Sequence, residues 1–315
     1  MRHPYRKKFI YCGLIVITLI VFLHPDMNGR RTYDFIEKDN ILRNLHEETA
    51  NNFTSSAIID CDYYDIIHDD TTLSPTLVDG DLIEGHGVRE GGEYTPQECK
   101  PKYSTAVIVP YRDRAEQLRG FLVYMHTFFR RQRIHYRIFV VEQVDSRLFN
   151  RAKLLNIGAM AAMKAGFPCL VLHDVDLLPL RPANIYACTK RPRHMSSKKL
   201  NISRFVLPYL TLFGGAIAIV SKQFKDVNGM SNEYFGWGGE DDDLYSRLEA
   251  HNLKMCRFEP ETSRYHMVTH RSQHKGKKLL SNAKNRMMED GLSSLHYVEV
   301  ATVLHPLFTH IMVDL

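Results

Sequence analysis

Three short apolar runs, at 105–109, 136–141 and 169–172, alternate with two stretches of helical periodicity, one through Leu118, Phe121, Leu122 and Met125 and one over 149–164. Apolar runs separated by amphipathic helices imply a parallel sheet, because parallel neighbours need a crossover and a helix supplies it. The fold class expected is therefore α/β. Ligands of such sheets sit beyond the carboxyl ends of the strands. The residues found there are polar: Arg112 and Arg114 after the first run, the segment before Phe149 after the second, and Asp174 and Asp176 after the third.

The 315 residues are 44% hydrophobic and 24% charged, an ordinary globular composition with room for a sizeable core. A net charge of +5, with basic residues scattered apart from the first eight positions and a patch at Lys275, Lys277 and Lys278, gives no nucleic-acid signal. At the N-terminus, Arg2, Arg6, Lys7 and Lys8 precede an uncharged run over 9–23 that stops at His24-Pro25-Asp26. Positive charge before an apolar run holds that end in the cytoplasm. As a helix the run covers only about 22 Å, short against a hydrocarbon core of about 30 Å, although early secretory membranes are thinner. A cleaved signal peptide is the other reading, but no small-x-small site follows. The organisation expected is a cytoplasmic tail over 1–8, a transmembrane signal anchor over 9–23, a polar, aperiodic stem over 24–59 and a lumenal catalytic domain over 60–315. The glycines between 84 and 94 suggest a loop. Cys12 falls in the anchor, and five further cysteines, none in a C-x-x-C pair, suit an oxidising lumen. Asn52 and Asn201 open N-x-S/T sequons that could be glycosylated there.

Three constellations carry chemistry. Asp174-Val175-Asp176 sets two carboxylates two apart at a strand end, where alternation turns both the same way and a hard cation could bind. A solvated turn would explain the triplet alone; its place beside arginines at the previous strand end favours a cation with a diphosphate. Gly236-Trp237-Gly238-Gly239 runs into Glu240-Asp241-Asp242-Asp243 and then a helical pattern through Leu244 and Leu248. Acids at a helix start complement its dipole, but a permissive backbone beside a flat ring also suits a sugar. Met267 and His270 stand three apart; core packing explains such a pair, whereas thioether, imidazole and carboxylate together would suit a borderline transition ion.

Taken in order, Pro110-Tyr111-Arg112-Asp113-Arg114, Phe149-Asn150-Arg151, Asp174-Val175-Asp176, Phe213-Gly214-Gly215, the Trp237 to Asp243 run, Met267 with His270, and Asp290-Gly291-Leu292 resemble the β-1,4-galactosyltransferase family. The resemblance spans nearly all of the chain from Cys61 onward. It implies a GT-A-type nucleotide-sugar transferase fold in a type II Golgi membrane protein. It implies further that Asp176, Met267 and His270 hold Mn²⁺, and that Pro110, Tyr111, Arg112, Asp113, Arg114, Phe149, Asn150, Arg151, Asp174, Val175 and Trp237 seat the UDP-sugar. Asp241 would be the general base, with Glu240 beside it, and Tyr209, Tyr234, Gly238, Gly239, Glu240, Asp241 and Asp242 would meet the acceptor. Disulfides Cys61–Cys99 and Cys169–Cys188 are implied in the same way, leaving Cys256 unpaired. Residues 270–288 resemble the family's mobile lid, several residues shorter here.

One departure is informative. Leu212 precedes Phe213-Gly214-Gly215 where galactose-transferring members typically carry tyrosine, and an aliphatic residue there leaves room for a 2-acetamido group. The family's invertebrate N-acetylgalactosaminyltransferases share that feature. The expected reaction is transfer of GalNAc from UDP-GalNAc in β-1,4 linkage to terminal GlcNAc of a glycan acceptor. UDP-galactose as donor is the alternative, and a catalytically silent sugar-binding protein stands further off.

Overall fold

The computed structural model describes residues 35–49, 59–75, 87–196, 198–200, 211–268 and 286–315. The anchor expected over 9–23, the sequon residues Asn52 and Asn201, Tyr209, His270 and most of 270–288 lie outside them. No helix among the described residues is long and apolar enough to cross a membrane.

In chain order the strands are β1 (Phe35–Ile36), β2 (Val88–Arg89), β3 (Glu93–Tyr94), β4 (Ser104–Tyr111), β5 (His135–Gln143), β6 (Cys169–His173), β7 (Leu177–Pro179), β8 (Arg193–His194), β9 (Lys198–Leu200), β10 (Ala216–Val220), β11 (Arg257–Phe258), β12 (Arg264–Met267), β13 (Val298–Leu304) and β14 (Thr309–Asp314). The α-helices are α1 (Ile41–Asn44), α2 (Tyr64–Ile67), α3 (Ala115–Arg131), α4 (Arg151–Lys164), α5 (Ser221–Asp226) and α6 (Glu240–Ala250). The main sheet runs β13-β14-β5-β4-β6-β10-β8, with the β2–β3 hairpin attached to β5. A smaller sheet runs β7-β12-β9.

The three apolar runs become β4, β5 and β6, mutually parallel as the pattern requires, with α3 and α4 as crossovers. Side-chain alternation divides the core between the two sheet faces. Val107, Val109, Ile138, Val140 and Val171 pack with Phe121, Met125 and Phe129 of α3. Ala106, Ile108, Phe139, Val141, Leu170 and Leu172 pack with Leu154, Leu155 and Ile157 of α4 and Leu244 and Leu248 of α6. Burial on both faces is why these strands read as unbroken apolar runs.

The structure departs from the sequence expectation in three places. The sheet is mixed, because β10 runs antiparallel to β6 and β8, and β13 antiparallel to β14; antiparallel strands at the margins of a parallel centre need no helical crossover. Residues 35–49, expected in the stem, pack into the body: β1 pairs with β11, and Ile36, Ile41 and Leu45 are buried. Their partners lie far along the chain, Arg257 for Phe35 and Thr189 for Leu45, so no local periodicity betrays them, and the compact unit begins at Phe35 rather than at 60. Residues 88–94 form a hairpin instead of an open loop, turned through Gly91 and Gly92, both at positive φ. The two implied disulfides, Cys61–Cys99 and Cys169–Cys188, are formed, and Cys256 is a buried free thiol.

Candidate active site

The polar residues after β4, α4 and β6 converge with the start of α6. β4 ends at Tyr111, and Asp113 takes a left-handed conformation (φ 52°) that a short polar side chain tolerates. Its neighbours are sent to different partners. Arg112 donates to the Arg147 carbonyl (2.7 Å) and lies over the Phe149 ring, 5.3 Å from its centroid, while Arg114 reaches Asp176 at 3.6 Å. Pro110 is buried within β4, opposite Val141.

At the start of α4, Arg151 is the hub. Its Nε donates to Asp174 Oδ1 (2.6 Å) and its Nη1 to Asp241 Oδ1 (2.9 Å), with Glu240 at 3.8 Å. Burial opposes its charge, but the carboxylates of Asp174, Asp241 and Glu240 together hold the guanidinium pKa above its ordinary value. One side chain thereby joins the end of β6 to the start of α6. Arg151 Nη2 and Glu240 Oε2 are buried without a hydrogen-bond partner among the described residues, a donor and an acceptor that a polar ligand would complete.

Asp174 and Asp176 are held through their backbone. Asp174 N–H donates to Gly215 O (2.8 Å), and Val268 N–H to Asp176 O (2.8 Å). Beneath them the His173 ring is buried between the Asp174 carbonyl (2.8 Å) and the Tyr186 hydroxyl (2.8 Å); burial pushes its pKa down to about 4, so the ring is neutral. Val175 is buried beside them. Trp237 is 62% exposed and so offers its ring to a ligand.

Gly239 caps α6 with φ 100°, a conformation that suits glycine, and the four acids then wind around the first turn. Asp241 and Asp242 are half-buried, whereas Asp243 faces the interior and binds Arg247 (2.6 Å). Gly214 lies so close that a Cβ there would overlap the Asp241 carboxylate. Leu212, two residues earlier, is 8% exposed.

Two expected contact residues have their polar groups engaged in internal hydrogen bonds. Asn150 is fully buried: its side chain caps α4 by accepting from Lys153 N–H (2.9 Å) and donates to Asn232 O (2.6 Å). Through these two bonds its amide fixes the start of the helix that carries Arg151. Tyr234 is buried with its hydroxyl donated to Asp243 (3.1 Å), so that hydroxyl braces α6 instead of meeting an acceptor. Conversely, His173, His194 and Arg257 hold the site's backbone from behind and no motif marked them; only the position of His173 beside the Asp174 triplet was a clue.

A family model described as the N-terminal region of glycosyl transferase group 7 matches residues 74–189, and one described as the N-terminal domain of galactosyltransferase matches residues 193–271. The chain belongs to glycosyl transferase group 7. Within this family, β-1,4-galactosyltransferase 2 of Cricetulus griseus is 41% identical over 250 residues, spanning 77% of this chain and 68% of the relative. β-1,4-Galactosyltransferase 3 of Homo sapiens is 41% identical over 254 residues, spanning 78% and 64%. The crystal structure of a mutant Drosophila β-1,4-galactosyltransferase 7, a complex with manganese, UDP-Gal and xylobiose, aligns with a TM-score of 0.59 at 30% identity, covering 68% of this chain and 94% of that one. The group 7 chain thus has the mixed α/β, GT-A-type fold.

Two of the three expected metal donors, Asp176 and Met267, lie within the described residues. Met267 on β12 is registered against Leu177, and the Val268 N–H bond to the Asp176 carbonyl ties the two segments where Asp176 and Met267 stand. A carboxylate and a thioether on these adjoining segments would suit a borderline ion such as Mn²⁺ better than calcium, and the Met267 side chain also packs against the core. His270, the third expected ligand, lies outside the described residues.

Proposed function

We propose that this enzyme, a UDP-sugar-dependent hexosyltransferase, moves GalNAc from UDP-GalNAc onto the 4-hydroxyl of a terminal GlcNAc. The nucleotide lies along Arg112, Arg114, Phe149 and Val175, at the strand ends where α/β sheets bind ligands. Asp176, Met267 and His270 would hold Mn²⁺, which when bound offsets charge on a diphosphate. Trp237 offers a flat face to the sugars at the junction of donor and acceptor.

Asp241 accepts the proton of the acceptor hydroxyl as that oxygen bonds to C1 of the donor sugar. The bond from C1 to the diphosphate oxygen breaks in the same displacement, so the anomeric centre inverts and UDP leaves with the electron pair. Arg151 holds and aims the Asp241 carboxylate, and through Asp174 it links that aim to the nucleotide side.

The observation that carries the donor assignment is Leu212, buried beside the Phe213-Gly214 segment that abuts Asp241. An aliphatic side chain there leaves space for an acetamido group and offers no hydroxyl to a galactose 2-OH. The basic N-terminus ahead of the 9–23 run, together with two disulfides, supports a signal-anchored, lumenal enzyme of the Golgi.

The test is a donor competition with Mn²⁺ and a β-GlcNAc acceptor, UDP-GalNAc against UDP-galactose, on the wild-type chain and Leu212→Tyr. GalNAc transfer dominating in wild type, with a swing toward galactose in the variant, is the expected result. Galactose preferred from the start would overturn the donor assignment.

A further inference from the structure

Behind the Leu212 to Gly214 segment lies a coupled pair of buried polar side chains. His194 of β8 is 0% exposed and Arg257 of β11 is 2% exposed. Arg257 Nε donates to His194 Nδ1 (3.0 Å), and His194 Nε2 stands 2.9 Å from the Gly214 carbonyl. A guanidinium has no acceptor, so Nδ1 carries no proton and Nε2–H is the donor to Gly214. The same Arg257 donates through Nη2 to the Leu212 carbonyl (2.7 Å). One hydrogen-bonded unit thus grips two carbonyls of a single short segment.

That segment has two faces of consequence. Gly214 forms the wall against which the Asp241 carboxylate rests, and Gly215 O accepts from Asp174 N–H (2.8 Å). Leu212, held by its own carbonyl, rides at the other end. β8 is in turn paired to β10, with His194 opposite Ile217 and Met195 N–H bonded to Ala216 O (2.9 Å), so the grip is mounted on the sheet. Burying two such polar groups carries a desolvation cost that an apolar pair of similar volume would avoid.

We propose that His194 and Arg257 are positioning residues that set, through the Leu212 and Gly214 carbonyls, both the aim of Asp241 and the discrimination between donor sugars. The inference rests on reading Asp241 as the base and Leu212 as facing the donor.

The experiment uses the full chain as wild type, His194→Leu and His194→Gln. It reads kcat and KM with each donor, the calorimetric Kd of UDP, UDP-GalNAc and UDP-galactose, and Tm. Loss of a hydrogen bond aimed at the catalytic wall lowers kcat by about tenfold in His194→Leu and moves the ratio of kcat/KM between donors by about threefold or more, with the Kd of UDP within about twofold. His194→Gln, whose amide can both accept from Arg257 and donate to Gly214, recovers most of the loss. Equal losses in both variants, or a fall that follows Tm and leaves the donor ratio unchanged, would overturn the proposal. If wild type transfers neither sugar, the function reading has failed; the relative Kd of the two UDP-sugars then decides the pair, a shift in His194→Leu upholding it and no shift refuting it.

Discussion

Gly214→Ala tests the site's tightest packing. The backbone at Gly214 is outside the left-handed region, so alanine meets no torsional penalty; the three atoms nearest its methyl all belong to the Asp241 carboxylate. Even the farther oxygen, Oδ1, lies 2.8 Å from that methyl position. Carbon contacts settle near roughly 3.5 Å, so Oδ1 must retreat by about 0.7 Å and the nearer oxygen by more, on the order of 1 Å for the group. Oδ1 is also the atom that Arg151 Nη1 holds at 2.9 Å, so the retreat re-aims that bond. A displacement of about 1 Å at a catalytic group costs about 100-fold in rate, or about 2.7 kcal/mol of transition-state stabilisation. The expected result is a kcat near one hundredth of wild type at saturating substrates. Calorimetry should find UDP binding within about twofold, because Arg112 and Phe149 are untouched. A variant keeping more than about a third of wild-type kcat would refute the claim that Gly214 sets the place of Asp241.

Two further outcomes follow from groups outside the chemistry. Asp243 is fully buried against Arg247 (2.6 Å), with Asp290 3.7 Å from the same guanidinium. Asp243→Asn leaves a buried charge under-compensated at about 3–5 kcal/mol, which at roughly 2–4 °C per kcal/mol lowers Tm by roughly 6–20 °C; an unchanged melting curve would sink this reading. At Asp145, burial alone would raise the pKa, but the Leu315 and Arg147 N–H groups, the Gln143 amide and the Arg147 charge bring it down to about 2. A carboxylate depressed in the fold stabilises above its unfolded pKa of about 3.9 and loses that contribution as pH falls toward 2. Asp145→Asn should therefore flatten the acid limb of stability between about pH 4 and 2 in denaturant titrations, and an identical limb would count against it.

The parts of this molecule legible in the sequence are those whose cause is local. β4, β5 and β6 announce themselves because each is buried on both faces, and α3 because its apolar stripe recurs every turn. The acids at the end of β6 were readable for the same reason, since topology sends ligands there whatever the ligand is. The start of α6 was half-legible. Its four acids read as one cluster, yet at about 100° per residue Glu240, Asp243, Leu244 and Arg247 fall on one inward face, and only Asp241 and Asp242 are left to the outer side. Applying the helical period to the acids as well as to the leucines would have separated the buried Asp243 from the outward Asp241 and Asp242.

What was not legible depends on pairings remote in the chain. Arg151 meets Asp174 and Asp241 across 23 and 90 residues, and Arg257 meets Leu212 across 45. Arg151 was marked by its motif but its pairing with these two carboxylates was not, and Arg257 stands in an unremarkable local context; both pairings exist only when the sheet closes. The same holds for Ile36, Ile41 and Leu45, whose burial needs β11 and its surroundings to exist first. A motif marks groups that must touch a ligand, and those are constrained as short runs at element ends. Groups that aim the ligand-touching residues can come from any element packed behind them, so their identity is dictated by geometry alone. Such positioning residues are therefore the ones for which measured kcat, and not motif content, has to decide the role.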